Sequence, residues 1–388
     1  MCVDRLIRLG VMFGAKVEKN RSMAYFSYIF FVARVIFYLF RGKILENPTS
    51  CSFEQGETDM PSKLSFTQKK VLFLPPKVFI MDLSQRYTDF SAFLGRYFSG
   101  KVQKISVDAG FTCPNRDGTL GRGGCAYCNN RTFNPDYCAE RESVTAQLEK
   151  GKLFFARKYP TMKYLSYFQA YTNTYGELSQ LKALYEEALD VADVEGIVVG
   201  TRPDCVSDEL LDYLAHLSQR AFILVEYGVE CTNDEMLKRL NRGHSFACSC
   251  DAIRRTAERG IPVGAHLILG LPGQSREEMV AQAAELSLLP LDTLKLHQLQ
   301  IVKGARLARE YQENPSAFHL FTAAEYADVV VDFLERLNPR IAVERFASQS
   351  PKDLLIAPDW GLKNYEFTEL VKRRLRERDT RQGCLTEL

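Results

Sequence analysis

From Lys101 onward the chain alternates short β-rich runs with amphipathic helical stretches, and this alternation constrains the fold more than any other feature. The candidate strands are 102–107, 164–170, 196–200, 222–227, 263–269 and 293–300. Helical periodicity fills the gaps at 144–157, 177–192, 207–217, 233–240, 247–259 and 275–288. Ser207 and Asn233 have the side chains of N-caps, and Ser275 precedes an Arg-Glu-Glu run in the manner of a capping box. Gly260 followed by Pro262 marks a helix end. Strands separated by helices run parallel, because parallel neighbours need crossovers. The expected fold is α/β, a partial (β/α)6 barrel of the TIM type, with its chemistry at the carboxyl ends of the strands.

Domain boundaries follow. Residues 81–310 read as the barrel, and residues 311–388 as a C-terminal α/β extension with a helix at 323–337 and a strand within 340–348. Residues 1–80 form an N-terminal extension whose segment 23–40 is apolar apart from Arg34 and a few hydroxyls. That segment is close to the length of a membrane span. Arg34 near its middle makes insertion unfavourable by about 3 kcal/mol. A leader outside the functional protein is favoured slightly over a packed helix or a weak membrane anchor. Met81 looks like the opening of a soluble domain.

Three cysteines then acquire an address. Cys113, Cys125 and Cys128 lie in the loop after the first strand, among Gly110, Gly118, Gly121, Gly123 and Gly124. A closed zinc site takes four ligands, and a disulfide pair would leave one thiol over. Three thiolates can instead hold three irons of a 4Fe-4S cluster and leave the fourth iron open. Zinc with Cys138 as fourth ligand is the structural alternative. The chain has 11 cysteines in 388 residues, an odd number in a protein too long to need a disulfide framework. Reduced thiols and a cytoplasmic location are expected. The net charge of +2 points neither toward nor away from nucleic acid.

The cysteine pattern, with Tyr127 between Cys125 and Cys128, resembles the radical S-adenosylmethionine (SAM) superfamily. Eleven residues separate Cys113 from Cys125, a longer gap than the superfamily's common one, but of a kind its elongator-type branch tolerates. Further segments match that branch in order: "VVGTRPDCV" from Val198, "VEYGVE" from Val225, "LKRLNRGHS" from Leu237, "HLILGLPG" from His266 and "LKLHQLQIVKGARLA" from Leu294. The cysteine segment as a whole is similar to a bacterial family within the branch that lacks the acetyltransferase domain. The resemblance spans about residues 81–308. It implies a radical SAM barrel, a 4Fe-4S cluster on Cys113, Cys125 and Cys128, and SAM chelating the open iron. Reductive cleavage would give a 5′-deoxyadenosyl radical. It also implies an electron donor such as flavodoxin or ferredoxin, and allows weak binding of transfer RNA. No DNA partner is expected, and a membrane is not favoured. The other-class alternative is a zinc-stabilised RNA-binding module without catalysis.

Other residues fall at strand ends. Thr172, Asn173 and Thr174, in "YTNTYG", resemble by position the superfamily segment that meets the methionine amino group; a polar turn is the plainer reading. Arg202 can hold a carboxylate, and Asp204 a ribose hydroxyl or Arg202 itself. Glu226 and Glu230 share one strand face by period-2 geometry. Arg242 and His244 follow in a loop, His244 toward adenosine, substrate or solvent. Leu271 sits in "LGLPG", where backbone can approach adenine. Lys295 and His297 alternate on the sixth strand and can face substrate. Cys248 and Cys250 read as helix thiols rather than ligands of a second cluster. The basic stretch 367–381 is a solvated face or a phosphate contact.

Overall fold

The computed structural model describes residues 86–386 apart from 134, 136, 139–141 and 157–161. The apolar segment 23–40, and the whole of 1–80, lie outside the described residues. Six parallel strands neighbour one another in chain order: β1 (Val102–Val107), β2 (Lys163–Phe168), β3 (Val194–Thr201), β4 (Phe222–Glu230), β5 (Val263–Leu269) and β6 (Thr293–Gln298). A short β7 (Ile301–Val302) pairs antiparallel with β9 (Leu355–Ala357). Between them β8 (Ala342–Arg345) pairs parallel with β6 and makes the main sheet seven-stranded, one more strand than the six expected for the barrel.

The helices are α1 (Phe90–Leu94), α2 (Pro114–Asp117), α3 (Val144–Ala156), α4 (Leu178–Asp190), α5 (Asp208–Leu217), α6 (Asp234–Arg239), α7 (Phe246–Glu258), α8 (Arg276–Ser287), α9 (Arg306–Glu313), α10 (Ala323–Arg336) and α11 (Asn364–Glu377). Their starts follow the sequence signals. Ser207 accepts from the Leu210 amide, Asn233 from Met236, and Ser275 and Glu278 cap each other reciprocally. Among the described residues no helix is long and apolar enough to cross a membrane.

Strand alternation sorts side chains between two faces. On β4, Ile223, Val225 and Tyr227 join the large core under the helices, with Leu148, Tyr185, Ile253 and Tyr326. Phe222 and Leu224 face the other way, where Phe93 of α1 closes the amino end of the sheet's inner face. Glu226, two residues on, continues that inner row. Lys104 of β1 donates to Glu226 Oε1 at 2.7 Å and to Glu344 Oε2 on β8 at 2.6 Å. In a flat sheet β1 and β8 would stand six spacings apart, roughly 29 Å. One lysine reaching from one edge to the other therefore requires a curled sheet, the open barrel that the alternation led us to expect.

Candidate functional site

Cys113 directly precedes α2, and Pro114 takes its first position. Proline suits that place because its φ is already helical and its missing N–H has no partner there. α2 stops after one turn at Gly118, and the chain doubles back: Leu120 and Gly121 donate to the Pro114 carbonyl and Gly124 to Asn115. Gly124 is where glycine is required. Its φ is +78°, and a Cβ there would stand 2.8 Å from the Arg116 guanidinium. Arg116 in turn donates to the Cys128 carbonyl at 2.9 Å. Ala126 is fixed from two sides, donating to Leu240 and accepting from Leu307. The result places Cys113, Cys125 and Cys128 on the wall of one pocket with residues from the carboxyl ends of the strands. The pocket is a cleft of about 160 Å³ that opens to solvent on one side.

Cations face the thiols. Arg242 is buried and donates to Cys125 Sγ at 3.4 Å and to the Gly228 carbonyl at 2.7 Å, with Glu230 Oε1 at 3.9 Å. Asn115 Nδ2 lies 3.6 Å from the same sulfur. Burial by itself would raise the Cys125 thiol, but the Arg242 charge and these donors hold it below its ordinary value. Burial, joined by the negative charge of Cys125, pushes Cys128 up to about 11. Two adjacent thiols that resist ionising together suit a centre whose irons supply positive charge.

Three buried polar atoms of pocket-lining residues find no protein partner among the described residues: Thr172 Oγ1, Arg202 Nη1 and Arg242 Nε. Buried polar atoms are normally paired, so orphans clustered at a pocket fit a polar cofactor. Among the described residues no three His, Cys, Asp or Glu side chains gather closely enough for a single metal ion. The pocket thiols fit a polynuclear centre, in which each sulfur binds a different iron. Cys138 is engaged elsewhere: it is buried and its thiol donates to Gln147 Oε1 at 3.0 Å. Cys248 and Cys250 lie on α7.

The remaining candidates separate into three groups. Tyr127, Thr172, Arg202, Glu230 and Arg242 line the pocket. Asp204 does not; it receives the Arg202 fork at 2.9 and 2.8 Å and so orients Arg202. Asn173 donates to the Gly200 carbonyl and Thr174 bonds Thr201, so both tie the end of β2 to β3 instead of lining the pocket. His244 is also off the pocket wall; its Nδ1 lies 3.1 Å from the Ser245 carbonyl, and burial beside Arg242 lowers it to about 3. Leu271 is buried with Ile268 and Leu299, so its side chain belongs to the core and not the pocket.

Glu226 and His297 line the pocket, and Lys295 stands just behind in an inner polar network. Lys295 donates to Glu226 Oε2 at 2.6 Å and to the Tyr167 hydroxyl at 2.8 Å. Burial lowers Lys295 to about 8. Burial would raise Glu226, but Lys104 and Lys295 hold it well below the usual carboxylate range. The sequence reading missed His266, Gln169, Tyr171, Gln298 and Ser348, which also line the pocket. His266 stood inside "HLILGLPG", where strand alternation was the available signal.

The family model of the Radical SAM superfamily matches residues 113–285, starting at Cys113 itself, and the Radical_SAM C-terminal domain matches 291–377. The chain belongs to the radical SAM superfamily. It is 33% identical to YtqA of Bacillus subtilis over 300 residues, 77% of this chain and 92% of that protein. It is 34% identical to YhcC of Escherichia coli over 306 residues, covering 79% and 97%. Human Elongator complex protein 3 is more distant, 25% identical over 186 residues, 47% of this chain and 32% of that one. The Elp3 structure from Methanocaldococcus infernus matches with a TM-score of 0.54 at 17% identity, covering 73% of this chain and 64% of that one, which shows a shared fold. This radical SAM protein is thus an enzyme, and its superfamily implies SAM and a 4Fe-4S cluster as cofactors.

Proposed function

We propose that Cys113, Cys125 and Cys128 hold the 4Fe-4S cluster and that the adjoining pocket holds SAM for reductive cleavage. When bound, the two groups supply one-electron scission of a C–S bond and a 5′-deoxyadenosyl radical that abstracts hydrogen from substrate. The chain's own residues do the positioning. Arg242 and Asn115 donate to Cys125 and draw electron density from that ligand. Arg202, fixed by Asp204, offers its unpaired Nη1 to a carboxylate, and Thr172 offers its unpaired hydroxyl to the same pocket. The electron enters from a protein donor of the flavodoxin or ferredoxin class.

The observation that carries this reading is three thiols on one pocket wall beside orphaned buried donors and acceptors. Anaerobic reconstitution with iron and sulfide, followed by dithionite and SAM, tests it. A brown protein that releases 5′-deoxyadenosine is expected. A colourless protein that takes up stoichiometric zinc and yields no 5′-deoxyadenosine would overturn it.

A further inference from the structure

His266 on β5 and His297 on β6 both line the pocket, with ring centres 5.6 Å apart. Their neighbours assign each ring its tautomer. His266 Nε2 lies 3.1 Å from Glu226 Oε2, and Glu226 is kept ionised by two lysines. An ionised carboxylate only accepts, so His266 carries its proton on Nε2 and a lone pair on Nδ1. His297 Nε2 lies 2.8 Å from Arg345 Nη2 and 3.2 Å from Arg345 Nε. A guanidinium only donates, so this nitrogen holds the lone pair and the proton sits on Nδ1. Burial, with the Arg345 charge added, keeps His297 neutral, and burial beside Lys295 does the same for His266.

Neither Nδ1 has a hydrogen bond among the described residues, and neither is a buried orphan. The pocket is therefore offered one imidazole acceptor and one imidazole donor side by side. Each is strengthened from behind, the acceptor by the Glu226 carboxylate and the donor by Arg345. The two rings themselves, each neutral, present an uncharged pair of partners. Lys104 and Lys295 balance Glu226 and Glu344 within the network, and Arg345 does not itself line the pocket. Neighbouring pocket residues on and beyond β6 are Gln298, Gln300, Ser348 and Ser350.

We propose that His266 and His297 together bind a cis-amide, lactam-type edge of the substrate, its N–H donating to His266 Nδ1 and its adjacent carbonyl accepting from His297 Nδ1–H. This rests on the pocket being the reaction pocket described above. A mismatched edge would leave a buried donor or acceptor unpaired, which is how such sites discriminate.

The test uses the full chain, reconstituted and oxidised, with 15N-labelled histidine. Long-range proton–nitrogen spectra near neutral pH report which nitrogen of each ring is protonated, with assignment from His266→Asn and His297→Asn. The probes are 2-pyrrolidinone, N-methyl-2-pyrrolidinone, which lacks the N–H, and propionate, an anion. We expect protonation at Nε2 of His266 and Nδ1 of His297. We also expect 2-pyrrolidinone to shift both Nδ1 resonances, the N-methyl analogue to bind at least ~10-fold more weakly, and propionate to move neither. The opposite tautomer on either ring would overturn the proposal. So would equal response to both lactams, a stronger response to propionate, or no response to any probe. Iron content and SAM cleavage in the same samples separate the two readings: a protein without a cluster refutes the proposed function, whereas a competent cluster beside the wrong tautomers refutes only the histidine pair.

Discussion

Cys125 and Cys138 are both buried cysteines, yet their surroundings point to different fates. Cys125 has a guanidinium and an amide donor at its sulfur, whereas the Cys138 thiol is itself the donor, to Gln147. Cys138 is off the pocket wall that carries Cys113, Cys125 and Cys128, and its thiol is spent on Gln147. Replacing Cys113, Cys125 or Cys128 by alanine is therefore expected to abolish cluster binding and SAM cleavage. Cys138→Ala, Cys248→Ala and Cys250→Ala should keep iron near the wild-type level. Iron and sulfide analysis after anaerobic reconstitution checks the set. Full iron in Cys113→Ala, or its loss in Cys138→Ala, would show a different ligand set.

At the scale of elements, Gly196 on β3 and Gly228 on β4 each leave room for what packs against them. Gly196 on β3 lies so close to β4 that a Cβ there would stand 2.1 Å from the Phe222 carbonyl, a backbone atom that cannot step aside. Gly196→Ala should therefore disrupt the β3–β4 pairing, costing about 2 kcal/mol or more, read as a fall in the denaturant midpoint. Gly228 near the end of β4 differs. A Cβ there would meet Arg242 Nη2 and Glu230 Oε1, each at 2.6 Å, and these are ends of side chains that can move. Gly228→Ala should lower the denaturant midpoint less than Gly196→Ala does, while displacing Arg242 from Cys125. The expected result is a cluster lost faster to a chelator, measured by the decay of its visible absorbance. Unchanged cluster retention would show that Arg242 does not support the site.

For the whole molecule, the C-terminal segment packs on the barrel. α11 packs on α10, and Arg374 and Arg378 reach Asp328 and Asp332 there. Arg373 and Arg374 also pair with Glu377. Much of the basic charge is thus matched by acids, which leaves limited capacity for phosphates. We predict at most weak transfer RNA binding, with log affinity falling steeply against log salt. Changing Arg373, Arg374 and Arg376 to Gln should weaken it further without loss of the cluster. Tight binding that the triple change leaves intact would place RNA elsewhere on the protein. Both family matches lie within 113–377, so deleting Met1–Ile80 is expected to leave a soluble, cluster-binding protein. Fractionation of the full chain and the truncation decides this; membrane retention lost on deletion would establish an anchor.

Local chemistry wrote most of the architecture into the sequence. Period-2 and helical patterns, caps at Ser207, Asn233 and Ser275, and the glycine-rich loop around Cys113 each act within a few residues, so their outcome is legible without the fold. The superfamily's cysteine spacing is legible for the same reason. What tertiary structure decided is which side chains meet across the curled sheet. Lys104, Glu226, Lys295 and Glu344 come from β1, β4, β6 and β8, and nothing in their local sequence sets that meeting. Asp204 reads equally well as a ribose contact or an Arg202 partner until the Arg202 fork closes on it. The side chain of Leu271 packs beside Ile268 and Leu299, a neighbourhood that its local sequence does not set. The tautomers of His266 and His297 depend on Glu226 and Arg345, residues 40 and 48 positions away, because a ring's proton follows whichever partner folding brings to its other nitrogen.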